Sequence, residues 1–174
     1  MVRALQLATA LGLVGVASFA LRAKDFDKML PKQVTIAEVT DGDTFETEKG
    51  IVVRLTGVDA PDRGQKGDLL ATEYLKKWQG EKVWLEYDRY QDEQFVRLLA
   101  WVWVNCEGTP KFFPSDYMHK TKNESNPGLI DNPIGCKKGK LINEEMYKKG
   151  LVKLVKYSER GPTKYEERLS ILGL

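Results

Sequence analysis

Six charged side chains in this sequence have the types and spacing to do chemistry together. They are Asp41, Asp43, Asp59 and Asp62, with Arg54 and Arg97. Carboxylates brought from separate loops suit a hard cation that wants oxygen ligands, such as Ca2+. Arginines add a planar, permanently charged fork that matches phosphate oxygens. Each residue alone has a plainer reading. An Asp beside a turn is usually a turn residue or a helix cap, and an Arg alternating within a strand usually faces water. The set says more than its members. Arg54 stands five residues before Asp59, in a stretch that leads into Asp-Ala-Pro-Asp. Such a strand carries two opposite charges toward one end of a sheet. Spacing alone makes this a candidate metal–phosphate site.

Other chemistries are poorly served. The single histidine, His119, falls in an irregular stretch, where it reads as a solvated loop residue. A Ser-His-Asp or Cys-His arrangement would have to take its base from that loop. Two Cys and one His do not make the usual zinc spacings. There is no Gly-x-Ser-x-Gly and no Gly-rich phosphate loop. The formal net charge is +2, and the first 24 residues hold three basic residues and no acid. The rest is therefore near neutral and does not coat nucleic acid by bulk charge. A local constellation must do that work.

The elements that would hold these residues follow from pattern. The stretch 34–39 alternates and reads as a strand, with Asp41-Gly42 as a turn signal. Strands at 44–47 and 51–58 follow, with Lys49-Gly50 between them. A loop at 61–67 leads into a helix at 68–79, with Leu70, Tyr74, Leu75 and Trp78 on one face and Gly80 at its end. The stretch 83–87 is a strand, and 98–104 has the apolar density of a buried one. An insert rich in Pro, Gly, Asn and Lys runs from about 107 to 139. Beyond it, Asn143 can cap a short helix that ends at Gly150, and 151–157 is strand-like. Thr163 and Glu166 have the form of a capping box opening a last helix. Short strands with a helix between the third and fourth fit an α+β architecture. It is a five-stranded OB-fold-like β-barrel with about three appended helices.

The ends and the cysteines add separate features. Residues 4–21 form an uncharged stretch between Arg3 and Arg22. As a helix it would span roughly 27 Å, close to the hydrocarbon thickness of a bilayer. The segment 1–24 is read as a transmembrane anchor, with a cleaved signal peptide and a mitochondrial import segment as alternatives. An anchor in the inner mitochondrial membrane joins the first and third readings; signal cleavage would give a secreted protein. Residues 25–32 are a linker, and 33–174 the folded domain. Cys106 and Cys136 lie near the two ends of the insert. A bridge between them would contribute roughly 3–4 kcal/mol; two free thiols are the equal alternative.

Four ordered motifs carry a resemblance. Val39-Thr40-Asp41-Gly42-Asp43-Thr44 and Val53-Arg54-Leu55-Thr56-Gly57-Val58-Asp59-Ala60-Pro61-Asp62 are the first two. Gln94-Phe95-Val96-Arg97-Leu98-Leu99-Ala100-Trp101-Val102 is the third. The fourth is Leu141-Ile142-Asn143-Glu144-Glu145-Met146 with Lys149-Gly150-Leu151-Val152. Together they resemble the staphylococcal nuclease (thermonuclease) family, from about residue 33 to 169 with one long insert. The resemblance implies Ca2+ held by the Asp43 and Asp59 carboxylates and the Ala60 backbone carbonyl. It implies that Arg54 and Arg97 grip the scissile phosphate and stabilise transition-state charge. Asp62 stands where the family has the glutamate general base, and Phe95 where it often has a tyrosine that can stack near a base. The implied activity is hydrolysis of single-stranded DNA or RNA.

Three departures accompany it. Asp62 is one methylene shorter than glutamate, and a misplacement of about 1 Å can cost roughly 10²-fold in rate. The insert at 107–139 is extra, and it offers a surface for protein partners or for control of substrate access. The last helix is short. The alternative function is therefore an accessory or scaffold subunit of a membrane complex that kept the fold without useful catalysis.

Overall fold

The computed structural model describes residues 28–89, 91, 96–157 and 161–173. The hydrophobic stretch 4–21 and Phe95 lie outside these residues. Among the described residues no helix is long and apolar enough to cross a membrane.

Five strands close a barrel. β1 (Gln33–Val39), β2 (Thr44–Thr47), β3 (Val52–Leu55), β5 (Lys82–Tyr87) and β6 (Leu98–Val104) are its staves. They run in the order β3-β2-β1-β5-β6, and a parallel pairing of β3 with β6 closes the circle. Closure removes the open edges that a flat sheet would expose. Ile36, Phe45, Val53, Leu55, Val83, Leu85, Ala100 and Val102 are buried within the core. β6 is buried on both sides, as its apolar density predicts. The alternate side chains, Trp101 and Trp103, lie under the ring of Tyr165, edge-on at 5.2 and 5.5 Å between centroids.

The expected strand at 51–58 is two strands. β3 stops at Leu55, and β4 (Val58–Asp59) pairs with a different partner, β10 (Lys153–Leu154). The break is at Gly57, whose φ is 73°. A Cβ there would stand 2.6 Å from Trp101 Cη2. Only glycine tolerates both the left-handed backbone and that approach.

Helix α1 (Asp68–Leu75) continues as a 3-10 turn, Lys76–Trp78, and ends near Gly80 as expected. Its buried residues are Ala71 and Leu75; Leu70, expected on the buried face, is exposed. Helix α2 (Ile142–Lys148) follows the short strand β9 (Lys140–Leu141). Asn143 is not its N-cap: Leu141 holds that position without a side-chain bond. The Asn143 amide is instead wholly buried. Its Oδ1 accepts from the Val102 N–H (2.9 Å), and its Nδ2 donates to the Thr56 carbonyl (2.9 Å) and the Ala100 carbonyl (3.2 Å). It thus fastens α2 to β6 and to the end of β3. Helix α3 (Glu166–Leu172) is preceded by half of the expected capping box, in which the Thr163 N–H donates to Glu166 Oε2 at 3.4 Å.

The insert is tied down at several points. Cys106 and Cys136 are joined in a disulfide, with their Cα atoms 4.2 Å apart. The Glu107 carboxylate accepts from the N–H groups of Lys137 (2.7 Å) and Lys138 (3.0 Å). Farther along, the insert carries a small hairpin of β7 (His119–Thr121) and β8 (Glu124–Ser125). It meets the C-terminal region through Arg168, which donates to Asn132 Oδ1 at 2.8 Å.

Candidate active site

The site begins with a turn that only glycine permits. Between β1 and β2, the Asp43 N–H donates to Asp41 Oδ1 at 3.0 Å, so the Asp41 side chain shapes the loop. A Cβ on Gly42 would fall 2.5 Å from the Ala71 Cβ and 2.7 Å from the Ala60 Cβ. The turn is therefore pressed against α1 and against the chain just past β4. That packing brings Asp43 to Ala60, whose N–H donates to Asp43 Oδ2 at 2.8 Å.

Arg54 joins the same point from β3. The β2–β3 register sets Thr44 opposite Arg54. The Arg54 Nη2 lies 3.2 Å from Asp43 Oδ2 and 2.5 Å from Asp59 Oδ1, and its Nη1 donates to the Val58 carbonyl at 3.0 Å. One guanidinium edge is thus shared by two carboxylates from different strands. Asp43 is nearly buried, whereas the Asp59 side chain is 54% exposed. The cluster is half inside the protein and half open to water.

Electrostatics follow from that geometry. Burial pushes the Asp43 carboxyl above the usual carboxylate range, and the facing Arg54 guanidinium opposes the shift. With Asp41 nearby, acids outnumber the single arginine at this point. The acidic oxygens at this point belong to the Asp43 and Asp59 carboxylates, and the chain of Ala60 lies beside Asp43. Excess negative charge on oxygen donors fits a hard divalent cation. Among the described residues, no group of three or more His, Cys, Asp or Glu is arranged to hold a metal ion. A cation here would rest on two carboxylates and main-chain oxygen.

The remaining expected residues are placed differently. The parallel register sets Arg54 beside Leu99, so Arg97 shares the outer face of the barrel with Arg54. Its offset along the strand is about 7 Å, two residues of rise. Arg97 is half-buried at the mouth of β6. Asp62 is exposed, and its Oδ2 accepts from Gln65 Nε2 at 2.9 Å, within its own turn. Asp43, Arg54 and Asp59 are in contact; Asp62 is not bonded to them.

A second charged cluster has no counterpart in the expectations. Lys164 is fully buried, and its Nζ sits 3.2 Å from Glu86 Oε1. It also donates to the carbonyls of Tyr87 (2.6 Å) and, in the insert, Phe113 (2.9 Å). Glu86 Oε2 accepts from Trp103 Nε1 (3.1 Å) and the Tyr165 hydroxyl (2.9 Å). Asp88 Oδ2 accepts from Trp101 Nε1 at 2.5 Å. Burial raises the Asp88 carboxyl to about 6, with Lys164 opposing the rise. The signal in the sequence was a matched alternation, with Glu86 in β5 and Asp88 just past its end, and Trp101 and Trp103 in β6.

His119 also departs from its expected place. It is half-buried and lines a small pocket with Thr56, Asp88, Leu99, Tyr157 and Thr163. The insert folds back on the barrel, so its histidine is not a solvated loop residue. No family model matches the chain, and no curated protein matches it.

Proposed function

We propose that the chain is a Ca2+-dependent phosphodiesterase of staphylococcal-nuclease type, hydrolysing single-stranded DNA or RNA. The supporting observation is the Arg54 guanidinium held between the Asp43 and Asp59 carboxylates at the open side of the barrel. Asp43, Asp59 and the Ala60 carbonyl would hold the cation. Ca2+ at such a site supplies charge neutralisation at the phosphate and lowers the pKa of a nearby water. Arg54 and Arg97, on one face of the barrel, bind the phosphate from the protein side and stabilise the charge that builds on its oxygens. Asp62 takes the proton of the attacking water. It is exposed and bonded only within its turn, so it can turn toward a substrate without breaking the core. Residues 4–21 hold the domain to a membrane, the inner mitochondrial membrane being one such place, or direct its export. The insert is the surface available to protein partners.

One observation favours a second reading. Asp62, the shorter base, is not in contact with the Arg54 cluster. An accessory subunit with little catalysis would have that arrangement. The deciding assay is cleavage of denatured DNA and of RNA with Ca2+ or EDTA, beside Asp62→Glu. Ca2+-dependent cleavage that rises in Asp62→Glu supports the enzyme and assigns the base. A folded wild type that cleaves nothing, with no rescue by Asp62→Glu, rejects it in favour of the accessory role.

A further inference from the structure

β10 crosses the chain at the edge of the Arg54 cluster. Its register with β4 is antiparallel and sets Lys153 directly opposite Asp59. Directly opposed residues in an antiparallel pair point to the same face, with Cβ atoms roughly 4.5–5.5 Å apart. Lys153 therefore shares the face on which Asp59 meets Arg54. The pairing is anchored on both sides: Leu154 lies opposite Val58, and the Val155 N–H donates to the Gly57 carbonyl at 2.9 Å. The Val58 carbonyl in turn accepts from Arg54. β10 is thus fixed to the same short strand that positions the guanidinium.

Lys153 is exposed, and among the described residues no carboxylate pairs with its ammonium. Asp59 sits across from it, yet that carboxylate is bonded to Arg54. A cation held beside a phosphate-binding arginine, with no carboxylate partner among the described residues, suits a polyanion that passes over this face. We propose that Lys153 binds the phosphodiester backbone of the substrate, taking a phosphate neighbouring the one at Arg54. This rests on the phosphodiesterase reading above. It identifies the substrate as a strand with at least two phosphates, whose path crosses β10.

The test uses the full chain and two readouts. The first is kcat/KM for a single-stranded oligothymidylate with Ca2+, across a NaCl series. The second is anisotropy of a labelled phosphorothioate oligothymidylate that resists cleavage. Lys153→Ala is expected to weaken binding by about threefold to tenfold at low salt and to leave kcat in place. One lost phosphate contact should make the slope of log K against log salt shallower by about 0.7. Lys153→Arg should restore the slope. Lys82→Ala should leave it unchanged, because Lys82 pairs with Thr35, at the far end of β1 from the Asp41 turn. Thermal melting of Lys153→Ala checks that an exposed substitution leaves the fold intact. An unchanged slope with an altered Ca2+ requirement would mean that Lys153 only offsets Asp59, and overturns the assignment while sparing the enzyme. A wild type that neither binds nor cleaves overturns both.

Discussion

Around Lys164 two acids are enclosed by aromatic donors, whereas around Arg54 two acids share a guanidinium and one of them, Asp59, is open to water. Both clusters set carboxylates against one cation, and both draw their members from distant parts of the chain. They differ in what is left over. Glu86 accepts from Trp103 and Tyr165 as well as Lys164, so its oxygens are satisfied by the protein. The Lys164 ammonium is likewise complete, with carbonyls of β5 and of the insert. At Arg54 the excess of acid over cation is the same, but Asp59 is more than half exposed. A closed network holds elements together; an open one leaves carboxylate oxygen facing water. Clusters of the same composition can thus have opposite uses, decided by burial and by satisfaction of hydrogen bonds.

The comparison breaks or sharpens by mutation, starting with the closed network. Lys164→Met should cost roughly 3–5 kcal/mol of stability, because it leaves Glu86 buried without its partner. Urea unfolding reads this directly. Arg54→Ala should act the other way. It should lower cleavage by roughly 10²–10³-fold while shifting the melting temperature less than Lys164→Met does. If Arg54→Ala unfolds the protein and Lys164→Met does not, the assignment of roles is reversed.

The disulfide belongs to the closed side, because it fixes the insert that supplies Phe113 to Lys164. Replacing Cys106 and Cys136 together with serine should cost roughly 2–4 kcal/mol, measured by denaturant midpoint, with kcat retained at a temperature where the variant is folded. A loss of kcat in that folded variant would tie the insert to the open site.

The smallest effect is a pH slope. Asp88 has its pKa raised from 3.8 to about 6 by burial. A raised acid binds its proton more tightly in the folded state. Its contribution to stability is therefore greatest at low pH and is lost as pH climbs from about 3.8 to about 6. Asp88→Asn should flatten that part of the stability profile. Asp43, also raised by burial, contributes a slope of the same sign. A profile unchanged in Asp88→Asn would show that Lys164 keeps Asp88 ionised throughout.

The order of elements was legible from local signals, because turns and amphipathic periods are properties of neighbouring residues. Asp41-Gly42, the double-sided apolar run of β6 and the stop at Gly80 all hold in the structure. Of the six charges singled out, Asp43, Arg54 and Asp59 meet, while Asp62 bonds within its own turn. The misreadings share a cause. Asn143 has the chemistry of a cap, yet its amide bonds backbone groups of β6 and β3, more than forty residues away. His119 lies in a loop-like sequence, but the insert folds it onto the barrel. The strand at 51–58 breaks because Trp101, remote in sequence, occupies the space beside Gly57.

The sequence by itself determined the run of elements along the chain, an OB-like barrel as the fold they fit, and the turn residues between them. Only the tertiary structure decided that Glu86, Asp88 and Lys164 are sealed while Asp59 stays open. It alone also decided whether the cysteines pair and which lysine faces the site. Those outcomes depend on long-range contacts and on desolvation, which act between parts of the chain that no local pattern links.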